Sequence, residues 1–395
     1  MGNNILEIKN ADDRCTGCGA CSSICPVGAI SMEYDEEGFL YPVVNDTCVF
    51  CGKCVNICNM QAHSKEKKPR GRLLWCYSKD EQIRKTSSSG GVFYELAKEV
   101  IASEGIVCGA ATNDDLSVSH RMAEKKEDLV ALQRSKYVQS EMRDSFLNIK
   151  KNLDQNRLVL FVGTPCQVDA VKRSAGDEHE RLVTVDFVCH GVPSTRIYRD
   201  MISYYEHKKK NTVSNVTFRE KDLGWRRQAL KIYFSDGTFL LMPSTDTVFY
   251  YSFLKSQSLR KSCYTCQYAS NHQSDITMAD FWGTKEKDDR GISLLSINTE
   301  KGQKLFDRIS SRLVVGEADC VDAPLSFVNH TKMQEYDIGL RTTFFLNYRK
   351  NGYGKLQKKM RKVILKRKFD QRARRFVSIL ARIKKDKRVS NKETE

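Results

Sequence analysis

Cys15-Thr16-Gly17-Cys18-Gly19-Ala20-Cys21-Ser22-Ser23-Ile24-Cys25-Pro26 places four cysteines in eleven residues, and Cys48-Val49-Phe50-Cys51-Gly52-Lys53-Cys54-Val55-Asn56-Ile57-Cys58 repeats the spacing 33 residues later. Cysteines at i, i+3 and i+6 let one loop wrap three thiolates around a face of an iron–sulfur cubane. The fourth lies past the turn and reaches the neighbouring cluster. The spacing therefore predicts two [4Fe–4S] clusters. Cys15, Cys18, Cys21 and Cys58 form one ligand set, and Cys48, Cys51, Cys54 and Cys25 form the other. Zinc sites usually join two separated C-x2-C pairs, and a disulfide framework belongs to an oxidising compartment. Two adjacent clusters make a wire for single electrons, which is preferred here to a purely structural role. Ala29–Met32 and Phe39–Pro42 read as short strands between the runs.

Beyond this ferredoxin-type segment, taken as residues 1–62, residues 63–72 (HSKEKKPRGR) are polar and broken by Pro69 and Gly71, as a linker would be. From residue 73 strands and helices alternate. Leu73–Tyr77, Ile106–Ala110, Leu158–Val162 and Leu182–Val188 read as buried strands, with helices over 90–103 and 167–174. Continuous apolar strands separated by helices point to parallel pairing. Residues 215–242 carry hairpin material around Ser235-Asp236-Gly237. The expected fold is an α+β ferredoxin-like dicluster domain followed by an α/β body with a mixed sheet over 73–345, then a basic helical tail over 346–395.

A second cysteine set is less regular. Cys166 and Cys189 each directly follow a predicted strand, so a parallel βαβ unit would bring them to one sheet edge. Cys263-x2-Cys266 supplies a compact pair. Together the four could close a third [4Fe–4S] cluster. Buried core cysteines and a zinc site are the competing readings. Cys76, Cys108 and Cys320 lack partners at ligand spacing and read as core or surface residues.

Several motifs then occur in order: Ser87-Ser88-Ser89-Gly90-Gly91, Ser135-Lys136-Tyr137-Val138-Gln139-Ser140, Gly163-Thr164-Pro165-Cys166-Gln167, Cys189-His190-Gly191-Val192-Pro193-Ser194, Phe218-Arg219-Glu220-Lys221, Cys263-Tyr264-Thr265-Cys266 and Asp280-Phe281-Trp282-Gly283. With the dicluster run, this series resembles the coenzyme F-420 hydrogenase/dehydrogenase beta-subunit family, in particular bacterial members associated with surface-polysaccharide loci. The resemblance departs at Ala279, where Gly is expected. It implies a flavin, usually FAD, exchanging electrons with the clusters. Ser87, Ser88, Ser89, Gly90 and Gly91 would then meet a pyrophosphate at a helix start, although an ordinary Ser cap has the same signature. By the same resemblance Lys136, Tyr137, Gln139 and Thr164 would line the flavin site. His190 would be either a catalytic proton donor or a hydrogen-bonded loop histidine.

The 395 residues carry a net charge of +16, and residues 349–388 hold 18 Lys and Arg against 2 acids, so the tail accounts for all of it. Its apolar residues fall at helical spacing: Leu356, Met360 and Val363, then Phe369, Ala373, Phe376, Leu380 and Ile383. A basic amphipathic helix of this kind suits an anionic membrane surface. Docking on the body or on an acidic partner is the competing reading, and nucleic acid is disfavoured because stacking aromatics are few. The longest apolar run, Leu158–Val162, is far short of the roughly 20 residues of a membrane span. No apolar signal core opens the chain, so cytoplasmic residence is expected, peripheral at the inner face of the membrane through the tail. The function expected is that of an iron–sulfur flavoprotein oxidoreductase linking one-electron transfer to hydride chemistry. Its redox partner would be ferredoxin or a reduced coenzyme. The alternative is an electron-carrier or scaffold subunit of a membrane-associated complex, without its own substrate site.

Overall fold

The computed structural model describes residues 4–7, 11–59, 71–176, 179–269, 271–284, 288–318 and 338–390. Most of the expected linker (to position 70), Cys320 and the side chains beyond position 366 lie outside the described residues, and with them the second apolar stripe of the tail.

The N-terminal segment is built as the spacing requires. Strands Ile30–Tyr34 and Leu40–Val44 pair antiparallel, and the two cysteine loops open short helices at Ala20–Ser23 and Lys53–Ile57. The body centres on a nine-stranded mixed sheet. Its order is Leu313–Glu317, Arg72–Ser78, Ser293–Ile297, Ile276–Asp280, Leu182–Phe187, Val159–Val162, Ile106–Thr112, Val118–Ala123 and Ser140–Glu141. The strands Ile106–Thr112, Val159–Val162, Leu182–Phe187 and Ile276–Asp280 run parallel to their neighbours in that series. Antiparallel pairs flank them on both sides. The strand Ile276–Asp280 has no long apolar run and is not among the strands expected from the sequence. It forms because the neighbours on both sides supply its ladder.

Helix Pro165–Ala175 connects Val159–Val162 to Leu182–Phe187. Thr164 and Gln167 close a capping box at its start, so the chain turns sharply at the strand's carboxyl end. A separate antiparallel sheet, Phe239–Pro243, Ala229–Phe234 and Val213–Glu220, packs with helices Thr195–Lys209 and Val248–Leu254 around Phe249, Tyr250 and Phe253.

The C-terminal helix Ile338–Ser390 is broken at Gly352 (φ 67°). Phe345, Tyr348 and Tyr353 are buried in the same core as Phe249, and Leu356 and Met360 pack against it. Gln357 is also buried, accepting from the Val248 amide (2.8 Å) and donating to the Asp246 carbonyl (2.7 Å). The beginning of the basic segment is therefore docked on the body, while Val363 and Leu365 are exposed. No helix of the described residues is long and apolar enough to cross a membrane.

Candidate functional site

In the dicluster segment, burial raises the Cys21 thiol pKa, and Cys18, Cys15 and Cys58 raise it further. Cys58, from the second run, thus stands beside the first three cysteines. On the other side, Cys25 lines a hollow together with Cys48, Cys51 and Cys54. Amide-to-sulfur hydrogen bonds already point at this chemistry, from Gly17 N to Cys15 Sγ (3.3 Å) and from Ala29 N to Cys25 Sγ (3.2 Å). Such bonds favour a thiolate over a thiol.

The second cysteine set converges at the carboxyl edge of the parallel strands. Cys166 opens the helix after Val159–Val162, and Cys189 follows Leu182–Phe187. The charges of Cys263, Cys166 and Cys266 all act on Cys189, behind the larger effect of burial. Burial pushes the Cys166 thiol up to about 11 and the Cys266 thiol up to about 12. The Thr164 hydroxyl lies 3.1 Å from Cys166 Sγ, and the Val192 amide donates to Cys263 Sγ (3.3 Å).

Four neighbouring thiols with raised pKa values cannot all ionise unless positive charge sits between them, and iron would supply that charge. A set made only of cysteines suits a soft iron–sulfur group better than a hard cation. Among the described residues no three Cys, His, Asp or Glu close on a single point as one bare metal ion would need. The two inner sets are neighbours as well. Burial first raises the Cys18 thiol to about 12, against the Ala20 amide, which lowers it, and Cys15 and Cys166 both add to the rise. Asn59 bridges them, its Nδ2 donating to Thr16 Oγ1 and to the Cys166 carbonyl (both 3.3 Å).

On the same edge lies a crowded cluster of cationic side chains around one loop, called the cationic pocket below. The loop Ser87–Gly91 leads into helix Val92–Ala102, whose N-cap Gly91 sits at φ 90° without a side-chain cap. Gly90 N donates to Ser293 Oγ (3.0 Å), Ser88 Oγ accepts from the Ser135 amide (2.8 Å) and Ser89 Oγ donates to the Ile292 carbonyl (3.0 Å). The Ser87 hydroxyl instead turns back to the Ile83 carbonyl (2.7 Å), so it holds the loop. Arg219 donates to both oxygens of Asp280 (2.7 and 2.9 Å), and Trp225 Nε1 donates to the same carboxylate (3.1 Å). Lys221 Nζ donates to the carbonyls of Arg84, Ser89 and Arg290 at 2.6–2.7 Å. Burial first, then Arg84 and Arg219, bring the Lys221 pKa down to about 7. Burial and Arg134 do the same to Lys136. Arg84 Nη1 and Arg219 Nε are buried with no acceptor among the described residues. Both arginines are paired, Arg84 with Asp288 and Arg219 with Asp280, and each keeps one nitrogen without an acceptor among the described residues.

The motif containing Lys136, Tyr137 and Gln139 splits between two places. The Tyr137 ring lies 5.1–5.5 Å from the rings of Phe218, Tyr250 and Phe253, beside the pocket. Lys136 Nζ is satisfied by the carbonyls of Ala131 and Gln133. Gln139 faces the dicluster segment. Its Nε2 donates to the Gly17 carbonyl (3.1 Å), and its Oε1 accepts from Arg260 (3.0 Å). His190 packs edge-on against Phe253 (4.7 Å), with Nε2 2.9 Å from the Phe253 carbonyl. The oxygen is an acceptor, so that nitrogen carries the proton, and burial lowers the His190 pKa. Tyr137, Phe253 and His190 thus span the distance from the cationic pocket to Cys189. Sequence reasoning quoted Arg219, Lys221 and Asp280 within their motifs without giving them a role, and did not single out Arg84 or Arg260. Their signal was charge placed inside otherwise apolar or cysteine-bearing motifs.

Three family descriptions match the chain. A 4Fe-4S dicluster domain matches residues 14–71. The coenzyme F420 hydrogenase/dehydrogenase beta subunit matches with its N-terminal part over 73–146 and its C-terminal part over 156–322. No curated protein matches. Among solved structures, the chain is similar to one from the F420-reducing [NiFe] hydrogenase complex of Methanosarcina barkeri, studied by xenon derivatization. Identity is 17%, coverage is 74% of this chain and 98% of that one, and the TM-score is 0.49.

Proposed function

The chain belongs to the coenzyme F420 hydrogenase/dehydrogenase beta-subunit family, as an iron–sulfur, oxidoreductase-type electron-transfer subunit, and from that premise we propose that it is a flavoprotein with three [4Fe–4S] clusters. The observation that carries the proposal is the adjacency of three four-cysteine sets and one cationic pocket. Cys25, Cys48, Cys51 and Cys54 lie outermost, with Cys51 exposed. Cys15, Cys18, Cys21 and Cys58 come next, and Cys166, Cys189, Cys263 and Cys266 lie at the sheet edge beside the pocket.

A flavin, when bound, interconverts single-electron and hydride chemistry. The chain's own residues supply binding and orientation. Ser88 to Gly91, with Arg84, Arg219 and Lys221 behind them, suit a pyrophosphate, because backbone amides at a helix start and the open Arg84 Nη1 and Arg219 Nε favour an anion. Asp280 fixes the Arg219 fork, whose Nη2 also donates to the Ser88 carbonyl (3.5 Å). Tyr137 and Phe253 exclude water between the pocket and Cys189. His190 holds its Nε2 proton against the Phe253 carbonyl and stays neutral near pH 7.

Anaerobic purification with assays for iron, sulfide and flavin tests this reading. About twelve irons, at four per cluster, and one flavin per chain are expected. About eight irons would remove the cluster at the sheet edge. Iron without flavin, even after incubation with FAD, would leave an electron-carrier subunit.

A further inference from the structure

Four arginines are buried among the described residues: Arg84, Arg219, Arg260 and Arg341. Three of them reach carboxylates: Arg84 pairs with Asp288, Arg219 with Asp280 and Arg341 with Glu37. Arg260 differs. It is fully buried, and among the described residues no carboxylate pairs with it. Its donors go to neutral acceptors only: the Cys15 carbonyl (3.2 Å), the Leu40 carbonyl (2.7 Å) and Gln139 Oε1 (3.0 Å). Its plane lies near the Tyr41 ring (4.7 Å), and Nε has no acceptor among the described residues. A guanidinium taken out of water without a counter-charge costs several kcal/mol, so something anionic must stand close by.

The neighbours identify it. Arg260 touches the backbone of Cys15 on one side, and on the other its own carbonyl accepts from the Cys263 amide (3.0 Å) while its amide donates to the Val192 carbonyl (2.9 Å), three residues after Cys189. It lies between two all-cysteine sets. Each set, with four thiolates around a cubane, carries net negative charge, and reduction adds one more negative charge.

We propose that Arg260 is the shared buried counter-cation of the two inner clusters, the one held by Cys15, Cys18, Cys21 and Cys58 and the one held by Cys166, Cys189, Cys263 and Cys266. It is a positioning residue. It joins the dicluster segment to the body, and its fixed charge stabilises the reduced form of both clusters more than the oxidised form. In a poorly solvated seam this charge is weakly screened. The outer cluster, held by Cys25, Cys48, Cys51 and Cys54, lies beyond its reach.

The proposal rests on the three-cluster reading, and the test separates the two. Full-length wild type is purified anaerobically, and its iron content is measured first. About eight irons or fewer, at four per cluster, would defeat the three-cluster reading itself. Potentiometric titrations monitored by EPR are then run on wild type, Arg260→Met and Arg260→Lys at equal iron content. In Arg260→Met the potentials of two clusters are expected to shift negative, the third staying at its wild-type value, while Arg260→Lys recovers most of the shift. Unchanged potentials in Arg260→Met at full iron content would overturn the proposal, as would an equal shift of all three clusters. If Arg260→Met does not hold its iron, Arg260→Gln takes its place, because its amide can still donate to the Leu40 carbonyl. Failure of both neutral variants to hold iron, with Arg260→Lys intact, supports the need for charge. Failure of all three variants to hold iron argues for a role in packing alone and overturns the proposal.

Discussion

The two cysteine runs share a backbone and differ in their surroundings. Gly17 and Phe50 occupy the same position, directly before the second cysteine of each run, and both are left-handed, at φ 67° and 51°. At Gly17 a Cβ would come within 2.6 Å of Arg260 Nη2 and of Gln139 Nε2. Phe50 is half exposed, next to exposed Val49 and Cys51, and lines the hollow of Cys25, Cys48 and Cys54. The turn geometry comes from the cysteine spacing and is satisfied twice. The residue that fills the turn depends on what packs over it. A bulky residue in this conformation costs about 1–2 kcal/mol. The second run bears that cost at the surface, while in the first a side chain would have to displace the buried ends of Arg260 and Gln139.

The largest test of this comparison exchanges ligands between runs. Cys58→Ala is expected to remove the first-run cluster, although Cys58 lies in the second run. Iron should fall by about four per chain, with the EPR signal of the outer cluster retained. Loss of the outer signal instead would reverse the crossed assignment. Next in size, Gly17→Phe makes the first run resemble the second. The collision with Arg260 and Gln139 is expected to cost about 3 kcal/mol or more, read from denaturant unfolding under anaerobic conditions.

Acid should separate the two regions by a similar amount. Residues 4–59 contain no histidine, whereas the body buries His120 between the Val162 carbonyl (3.1 Å) and Ser140 Oγ (2.7 Å). Burial lowers the His120 pKa from 6.5 to about 4. The folded state therefore binds this proton less readily than the unfolded one. Stability from His120 is complete above pH 6.5 and is lost as pH falls toward 4, by about 3 kcal/mol in total. His120→Asn should flatten that limb of the stability–pH curve. The smallest effect is expected for Phe50→Gly, which relieves the left-handed strain. A gain below about 1 kcal/mol is expected, because glycine also loosens the unfolded chain. A loss of stability there would show that Phe50 packs on its cluster and is not merely presented to solvent.

The legible parts of the molecule were local. The dicluster strands, the strands and helices from residue 73 to 188 and the hairpin material near Gly237 all appear close to their expected positions. Periodicity and turn chemistry act over a few residues, which is why they could be read. The edge on which Cys166 and Cys189 meet also followed from strand order, since parallel neighbours expose the same ends. Ile276–Asp280 escaped because a strand ringed by other strands needs no strong pattern of its own. The motif around Tyr137 looked like one site and is two, because the chain bends at Val138, between Tyr137 and Gln139, whereas on straight extended backbone residues two apart would share a face. Tyr137 turns to Phe253, and Gln139 turns to Gly17.

By itself the sequence determined which thiols can surround a cubane, since three of the four ligands come from one loop and only spacing matters. It also placed the basic charge at the C-terminal end. Tertiary structure alone decided which face of the dicluster segment is covered, and by what. Arg260 reaches Cys15 across 245 residues of chain, and Arg219 reaches Asp280 across 61. Contacts of that range leave no periodic trace, because they depend on how the sheet orders its strands and on which buried charges must find partners once water is gone.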